Sequence, residues 1–339
     1  MSIESLHTHT TLSDGKLSHR EMFELAENLG VSVIAFTDHD ALPNDAELQY
    51  LESIRDSSTK WVIGIEITAG LPKELSGQSH GGLHVIGLFV DPKNPALLLH
   101  CEKAQKARVE RMEGIVANLK NIGFTITAED CLKASGGDSV GRPHIVEALA
   151  MHPGNTDVQA GLMEEMKKDA EKDPALQLKY EKMLEDGERG YPYALFLSGD
   201  SYRKAYVEPT YYPDLDETAA LIRNAGGIAS IAHYFTIKKK MPFPLIETLL
   251  KEKRIDGMET VYGMWNFEKN DAQENEKDQK EIARLIALHG GLQTGGSDAH
   301  KEEDMRQYAS LADFSSKSIG MTKKILDSGR VTRRFSSFY

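Results

Sequence analysis

Cysteine is nearly missing from this chain: 339 residues carry only Cys101 and Cys131. Two thiols cannot build a disulfide framework or a thiolate metal cluster, and such usage fits a reducing cytoplasm. Long apolar runs are missing too. No stretch approaches the roughly 18 residues that a membrane span needs. The first residues lack the basic region and apolar stretch of a leader, so a soluble, unprocessed, cytoplasmic protein is expected, with no membrane partner. Positive charge is in deficit, 40 Lys and Arg against 52 Asp and Glu, for a formal net charge of -12. That balance excludes a broad basic face for duplex DNA, while leaving room for a local pocket that takes an anion. There is no Walker lysine loop, no dinucleotide glycine fingerprint and no serine elbow.

What the chain does have is one design used repeatedly: an apolar, strand-like run that ends in a histidine or a carboxylate. Ile3 and Leu6 lead into His7-Thr8-His9, whose alternation puts both imidazoles on one side, and Asp14-Gly15 follows. Ser18 and Glu21 form a capping box, Met22, Leu25, Ala26 and Leu29 mark one helical face, and Gly30 can end the helix. Val31 to Phe36 then reads as a buried strand that delivers Thr37-Asp38-His39-Asp40. Strand, helix and strand in so short a span predict a βαβ unit.

Three further deliveries come later. The run Trp61 to Ile67 contains Glu66, and the run His84 to Val90 begins with a histidine. A parallel strand would present its site at the carboxyl end, so His84 requires a hairpin or a local reversal, and the pattern leaves both open. Asp214 and Glu217 form another capping box, Gly226-Gly227 stops that helix, and Ile228 to Ala232 ends in His233. Ile255 to Thr260 carries Glu259, read as a salt-bridged or more distant supporting group. A helix is expected from about Asp271 to His289, after which Leu292 to Thr294 reaches Gly295-Gly296-Ser297-Asp298-Ala299-His300.

Between Pro95 and about Tyr212 the rhythm changes. A long helix through Leu98, Cys101, Met112, Ile115, Val116 and Leu119 is predicted to end near Gly123, and Asp157 to Glu188 has helical spacing. The segment from Tyr191 to Pro213 reads as an irregular return. The expected organisation is α/β, with residues 1–96 and 213–339 forming the catalytic part and 97–212 an inserted, mostly helical lobe. The last twenty residues, with Lys323, Lys324, Arg330, Arg333 and Arg334, read as a terminal helix and a basic tail.

The strand-end candidates are His7, His9, Asp14, His39, Glu66, His84, His233, Asp298 and His300. They are too many for one closed zinc site and suit two or three divalent ions, with Glu66 and Asp298 as bridging or anionic ligands. Imidazole and carboxylate without thiolate favour manganese, iron or zinc. Such ions suit hydrolysis of a phosphate ester, since they lower the pKa of water and neutralise phosphoryl and leaving oxygens. Asp298, Glu66 and His233 are the candidate catalytic residues. Arg142, Arg108 and His144 are candidate phosphate contacts, Arg142 because its planar fork matches phosphate oxygens.

Those segments, His7-Thr8-His9 with Ser13-Asp14-Gly15, Thr37-Asp38-His39-Asp40, Gly64-Ile65-Glu66, His84-Val85-Ile86-Gly87, Ala232-His233 and Gly296-Ser297-Asp298-Ala299-His300, occur in an order that closely resembles the polymerase and histidinol phosphatase (PHP) superfamily. The resemblance implies a distorted (β/α)7 barrel with a metal cluster at one mouth. It implies His7, His9, Glu66 and Asp298 around one ion, Glu66, His84 and His233 around a second, and Asp14, His39 and His300 at a third. Gly141-Arg142-Pro143-His144 and Asn224-Ala225-Gly226-Gly227 resemble the branch acting on nucleoside 5'-monophosphates, nucleoside 3',5'-bisphosphates and the 5' ends of short RNAs. In that branch Arg142 and His144 approach the substrate phosphate. Two features depart from it: Met163 to Asp186 lengthens the insertion, and Tyr234 replaces the usual proline after Ala232-His233. A histidinol phosphate phosphatase or another small-molecule phosphatase is the alternative within the superfamily. A non-catalytic PHP-like binding module is the other, and it predicts missing ligands where this chain has every position filled.

Overall fold

A computed structural model of the protein describes residues 3–75, 82–136, 139–262, 272–310, 318–332 and 336–338. The chain divides into two compact units, Met1–Ala104 with Tyr212–Tyr339, and Gln105–Tyr211.

In the first unit, β1 (Ile3–Ser5), α1 (His19–Asn28), β2 (Val31–Phe36), α2 (Asp45–Ser53) and β3 (Lys60–Gly70) alternate as the apolar runs predict. The Ser18–Glu21 capping box forms in both directions, and Gly30 turns the chain at φ 74°. Strands β1, β2 and β3 are parallel, and β4 (Gly82–Leu88) runs antiparallel to β3, with Thr68 opposite His84 and Glu66 opposite Ile86. That reversal answers the question His84 raised: the amino end of an antiparallel strand lies at the carboxyl ends of its parallel neighbours.

After the excursion through the second unit, α8 (Leu215–Asn224) starts from the Asp214–Glu217 capping box. Then come β5 (Ile228–Ile231), α9 (Phe243–Lys251), β6 (Gly257–Val261), α10 (Ala272–His289), β7 (Leu292–Gly295), α11 (Glu302–Ser310) and α12 (Met321–Asp327). The described strands form one seven-stranded sheet in the order β1 to β7. Its two edges meet. Leu6 N donates to Gly295 O (2.9 Å), Asp298 N to His7 O (3.0 Å) and His9 N to Ala299 O (3.0 Å), so the first and last strands run on side by side as a distorted (β/α)7 barrel requires. This approach demands glycine, because a Cβ on Gly296 would stand 2.3 Å from His7 N. The helices cover an apolar core that includes Ile34, Ile63, Ile65, Val85, Ile231 and Met258.

The second unit is helical: most of α3 (Pro95–Ile122), then α4 (Ala128–Ser135), α5 (Arg142–Ala150), α6 (Asn155–Ala170) and α7 (Pro174–Asp186), followed by a π-helical turn at Tyr193–Leu197. It has its own core of Met112, Leu119, Phe124, Ile145, Phe196 and their neighbours. No described helix is long and apolar enough to cross a membrane.

The end of the chain reads in sequence as a terminal helix and a basic tail; the helix forms as α12, and the described part of the tail is tied down by hydrogen bonds. Arg330 donates to Asp256 O (3.1 Å) and Gly290 O (2.7 Å), and Ser336 pairs with Val62 at the start of β3. Arg333 and Arg334 lie outside the described residues. A buried carboxylate anchors the other terminus. Glu4 accepts from Gly320 N (2.8 Å), Thr322 N (2.7 Å) and Thr322 Oγ1 (2.8 Å), joining β1 to the start of α12. Glu4→Ala strands those donors, and the expected loss is about 2–3 kcal/mol in urea unfolding. A midpoint unchanged from the parent protein would contradict this role.

Candidate metal centre

Strand geometry brings the nine sequence-predicted donors to one mouth of the first unit. His7 and His9 follow β1, His39 follows β2, His233 follows β5, and Asp298 and His300 follow β7. Glu66 lies within β3. His84, directly across from Thr68, shares its face of the sheet, so its Nδ1 stands 2.9 Å from Glu66 Oε1. Asp14 reaches in from the loop after His9.

Glu66 is the hub. Its carboxylate, 1% exposed, lies 2.8 Å from His39 Nδ1, 3.2 Å from His233 Nε2, 3.3 Å from His9 Nε2 and 3.5 Å from His7 Nε2. Asp298 Oδ1 is 3.4 Å from His7 Nε2 and 3.2 Å from His9 Nε2. On the outer side, Asp14 Oδ1 is 3.4 Å from His300 Nε2, and Asp14 Oδ2 is 3.8 Å from His39 Nε2. Among the described residues three donor groups result: His7, His9 and Glu66; His39, Glu66 and His84; and His9, Asp14, His39 and His300, with the ligand atoms in each within 4.8 Å of one another. The centre opens outward: His7 and His9 are fully buried, whereas the side chains of His84 and His300 are each 32% exposed.

The hydrogen bonds behind these imidazoles fit a metal centre. His7 Nδ1 stands 2.9 Å from Glu259 Oε1, and His300 Nδ1 stands 2.9 Å from the Asp298 carbonyl. His233 Nδ1 meets the hydroxyl of Thr236 (3.1 Å), which itself donates to His233 O. With a proton on each of those Nδ1 atoms, the Nε2 lone pair points into the cluster. Imidazole and carboxylate donors without thiolate suit borderline divalent cations.

Electrostatics make the same demand. Burial raises the pKa of Glu66, Asp14 and Asp298, but the surrounding imidazoles outweigh it and hold all three carboxyls well below their usual range. Burial likewise works against a charged His300, yet Asp14 and Asp298 push it up to about 10. His9 goes the other way, to about 4, through burial first and then His300 and His39. The three carboxylates therefore call for positive charge in a dry place, and His9 offers a neutral donor.

Backbone strain collects here as well. His233 (φ 23°) and Asp298 (φ 51°) are two of the five described non-glycine residues with positive φ, and Asp40 (φ 48°), beside His39, is a third. Two carboxylates support the donors: Asp38, for which the sequence offered no role, and Glu259, read in sequence as a supporting group with no partner identified. Asp38 accepts from Thr10 N (2.7 Å), Thr10 Oγ1 (2.9 Å) and Ser13 Oγ (2.7 Å), pinning the loop between His9 and Asp14. Glu259, 1% exposed, holds His7 and the backbone N–H of His233. An isolated carboxylate within a strand does not reveal a partner 252 residues away.

The remaining candidates, Arg108, Arg142 and His144, belong to the second unit. Gly141-Arg142-Pro143-His144 is the first turn of α5, where His144 Nδ1 accepts from Gly141 N (2.9 Å). Arg111 and Arg142 share Tyr206, whose ring centre lies 4.7 Å from the Arg111 guanidinium and 5.9 Å from that of Arg142. Arg111 was not among the sequence candidates. Burial, and then repulsion from Arg142 and Arg108, lowers its pKa to about 10 against the opposing pull of Tyr206 and Glu208. Crowded guanidinium groups of this kind favour an anion.

The chain is 24% identical over 299 residues to a 3',5'-nucleoside bisphosphate phosphatase of Chromobacterium violaceum, covering 87% of this chain and 86% of that one. It is 29% identical over 231 residues, 67% of each chain, to a 5'-3' exoribonuclease of Haemophilus influenzae. Its fold is similar to that of an amidohydrolase from Chromobacterium violaceum, with TM-score 0.62, 20% identity and 88% of each chain covered. It is also similar to a protein of Bifidobacterium adolescentis described provisionally as a metal-dependent phosphoesterase, with TM-score 0.64, 22% identity and 96% of each chain covered. The PHP domain profile matches residues 5–328, nearly the whole length, and the chain therefore belongs to the PHP domain family as a metal-dependent phosphoesterase.

Proposed function

We propose that this enzyme hydrolyses a phosphate monoester of a nucleotide: a nucleoside 5'-monophosphate or 3',5'-bisphosphate, or the 5' phosphate of a short RNA. The observation that carries the reading is the sharing of donors. Glu66 belongs to two of the three donor groups, and its two carboxylate oxygens can serve adjacent ions, which suits action on one phosphoryl group better than isolated structural ions do. The names of the relatives support a nucleotide as the substrate class.

In this reading His7, His9, Glu66 and Asp298 hold one ion, Glu66, His84 and His233 a second, and Asp14, His39 and His300 a third. Manganese, iron or zinc fits those donors. Bound there, divalent ions would supply Lewis acidity, polarising the phosphoryl group and acidifying water. The chain's own residues do the rest. Buried His7, His9 and Glu66 form a dry floor with fixed geometry, whereas His84 and His300 stand at the open rim where a phosphate arrives. Asp298, Glu66 and His233 are proposed as the residues nearest the reacting atoms. Arg142, Arg108 and His144 are proposed to contact substrate phosphate, and the crowding of Arg108 and Arg142 with Arg111 supports an anionic ligand there.

Phosphate release should be abolished by a strong chelator and restored by added manganese or zinc. Metal at about 100 times its dissociation constant should also raise stability by about 2.7 kcal/mol. With the metal-loaded protein, adenosine 5'-monophosphate, adenosine 3',5'-bisphosphate and a 5'-phosphorylated oligoribonucleotide should release phosphate faster than histidinol phosphate does. Asp298→Ala should be silent on all four. Turnover of histidinol phosphate alone would move the assignment to the alternative phosphatase. Arg142→Ala should raise KM about 10-fold or more while changing kcat less, the signature of lost ground-state phosphate contact; an unchanged KM would remove Arg142 from the substrate.

A further inference from the structure

Glu259 sits on β6, 1% exposed, and both of its carboxylate oxygens are engaged. Oε1 lies 2.9 Å from His7 Nδ1, and Oε2 accepts from His233 N at 2.8 Å. Those two histidines belong to different strands, after β1 and after β5, and each turns its Nε2 toward the same oxygen, Glu66 Oε1, at 3.5 and 3.2 Å. The other backing groups are shorter in reach. His300 uses a carbonyl two residues away, and His233 uses a hydroxyl three residues away. Glu259 alone among these backing groups joins segments far apart in the chain.

We propose that Glu259 is a positioning residue of the metal centre: one buried carboxylate sets the tautomer of His7 and the backbone of His233 together, so that two ion positions are built by a single side chain. The inference rests on the metal-centre reading above and adds a residue outside the nine donors. An ionised acceptor at Nδ1 keeps the proton there, leaves the lone pair on Nε2 and makes the ring a stronger donor. The second oxygen addresses strain. His233 holds φ 23° and ψ 70°, a conformation a non-glycine residue adopts only when its surroundings impose it. A charge-assisted bond to its N–H supplies that constraint.

The alternative is that Glu259 merely satisfies two buried donors in the barrel interior. Glu259→Gln separates the two roles because the amide is almost the same shape but offers one acceptor oxygen instead of two. If the NH2 faces His7, Nδ1 must accept, the ring proton moves to Nε2, and that nitrogen is lost to metal. If the NH2 faces His233, the strained N–H loses its acceptor.

The test uses the full-length protein with Zn2+ or Mn2+ alone as the probe. Competition against a chelating dye gives affinity, elemental analysis gives ions retained per chain, and thermal melts in chelator give metal-free stability. Glu259→Gln should weaken at least one ion by about 10–100-fold, the usual cost of losing such a partner, while the metal-free melting temperature stays close to that of the parent. Wild-type affinity in the variant overturns the inference, as does a drop in metal-free stability with affinity unchanged. A second measurement does not depend on the variant folding: two-bond 1H–15N correlation spectra of the zinc-loaded parent should show His7 protonated at Nδ1 and metal-bound at Nε2. His7 protonated at Nε2 overturns it. A parent protein that binds no divalent ion overturns the metal-centre reading and this inference together.

Discussion

The buried carboxylate of Glu66 is the interaction on which the architecture of the mouth depends. An unpaired charge at 1% exposure would cost several kcal/mol, and here it is surrounded by ring nitrogens from five histidines. Meeting that demand requires the ends of β1, β2 and β5 and the start of β4 to converge. The reversal of β4 is part of the same solution, because only an antiparallel strand brings its first residues, and so His84, to that end of the sheet. The close approach at Gly296 is another, since it lets the segment carrying Asp298 lie against His7.

Around this hub the chain accepts local strain and offsets it with fixed polar contacts. His233, Asp298 and Asp40 take positive φ within a few residues of the donors, while Asp38 and Glu259 use both of their oxygens on the neighbouring backbone and side chains. The result is that His7, His233 and His300 have their Nδ1 atoms tied down and their Nε2 atoms turned into the cluster. Cation demand and donor orientation arise from the same contacts.

Much of this was legible in the sequence because apolar runs and their end residues are local signals. The strand before His39, the strand before His233 and the caps at Ser18 and Asp214 follow from patterns a few residues long. Register is not local, so the direction of the strand carrying His84 is set by its pairing opposite Thr68 and not by its own residues. Glu259 had no readable partner because its bonds reach His7 and His233 through the barrel. The short helix α2, capped by Asn44 with Glu47, and α4, capped by Thr127 with Asp130, escaped notice because eight or nine residues carry little periodicity. Arg111 was hidden for the opposite reason: in a long charged helix one arginine looks like any other until Tyr206 and Arg142 stand beside it.

If adjacent ions share the buried carboxylate of Glu66, an anomalous difference map at the manganese edge, from crystals grown with Mn2+, will show at least two peaks with Glu66 as a common ligand, one of them beside His7, His9 and Asp298. A single peak, or peaks with no contact to Glu66, would rule out a shared carboxylate.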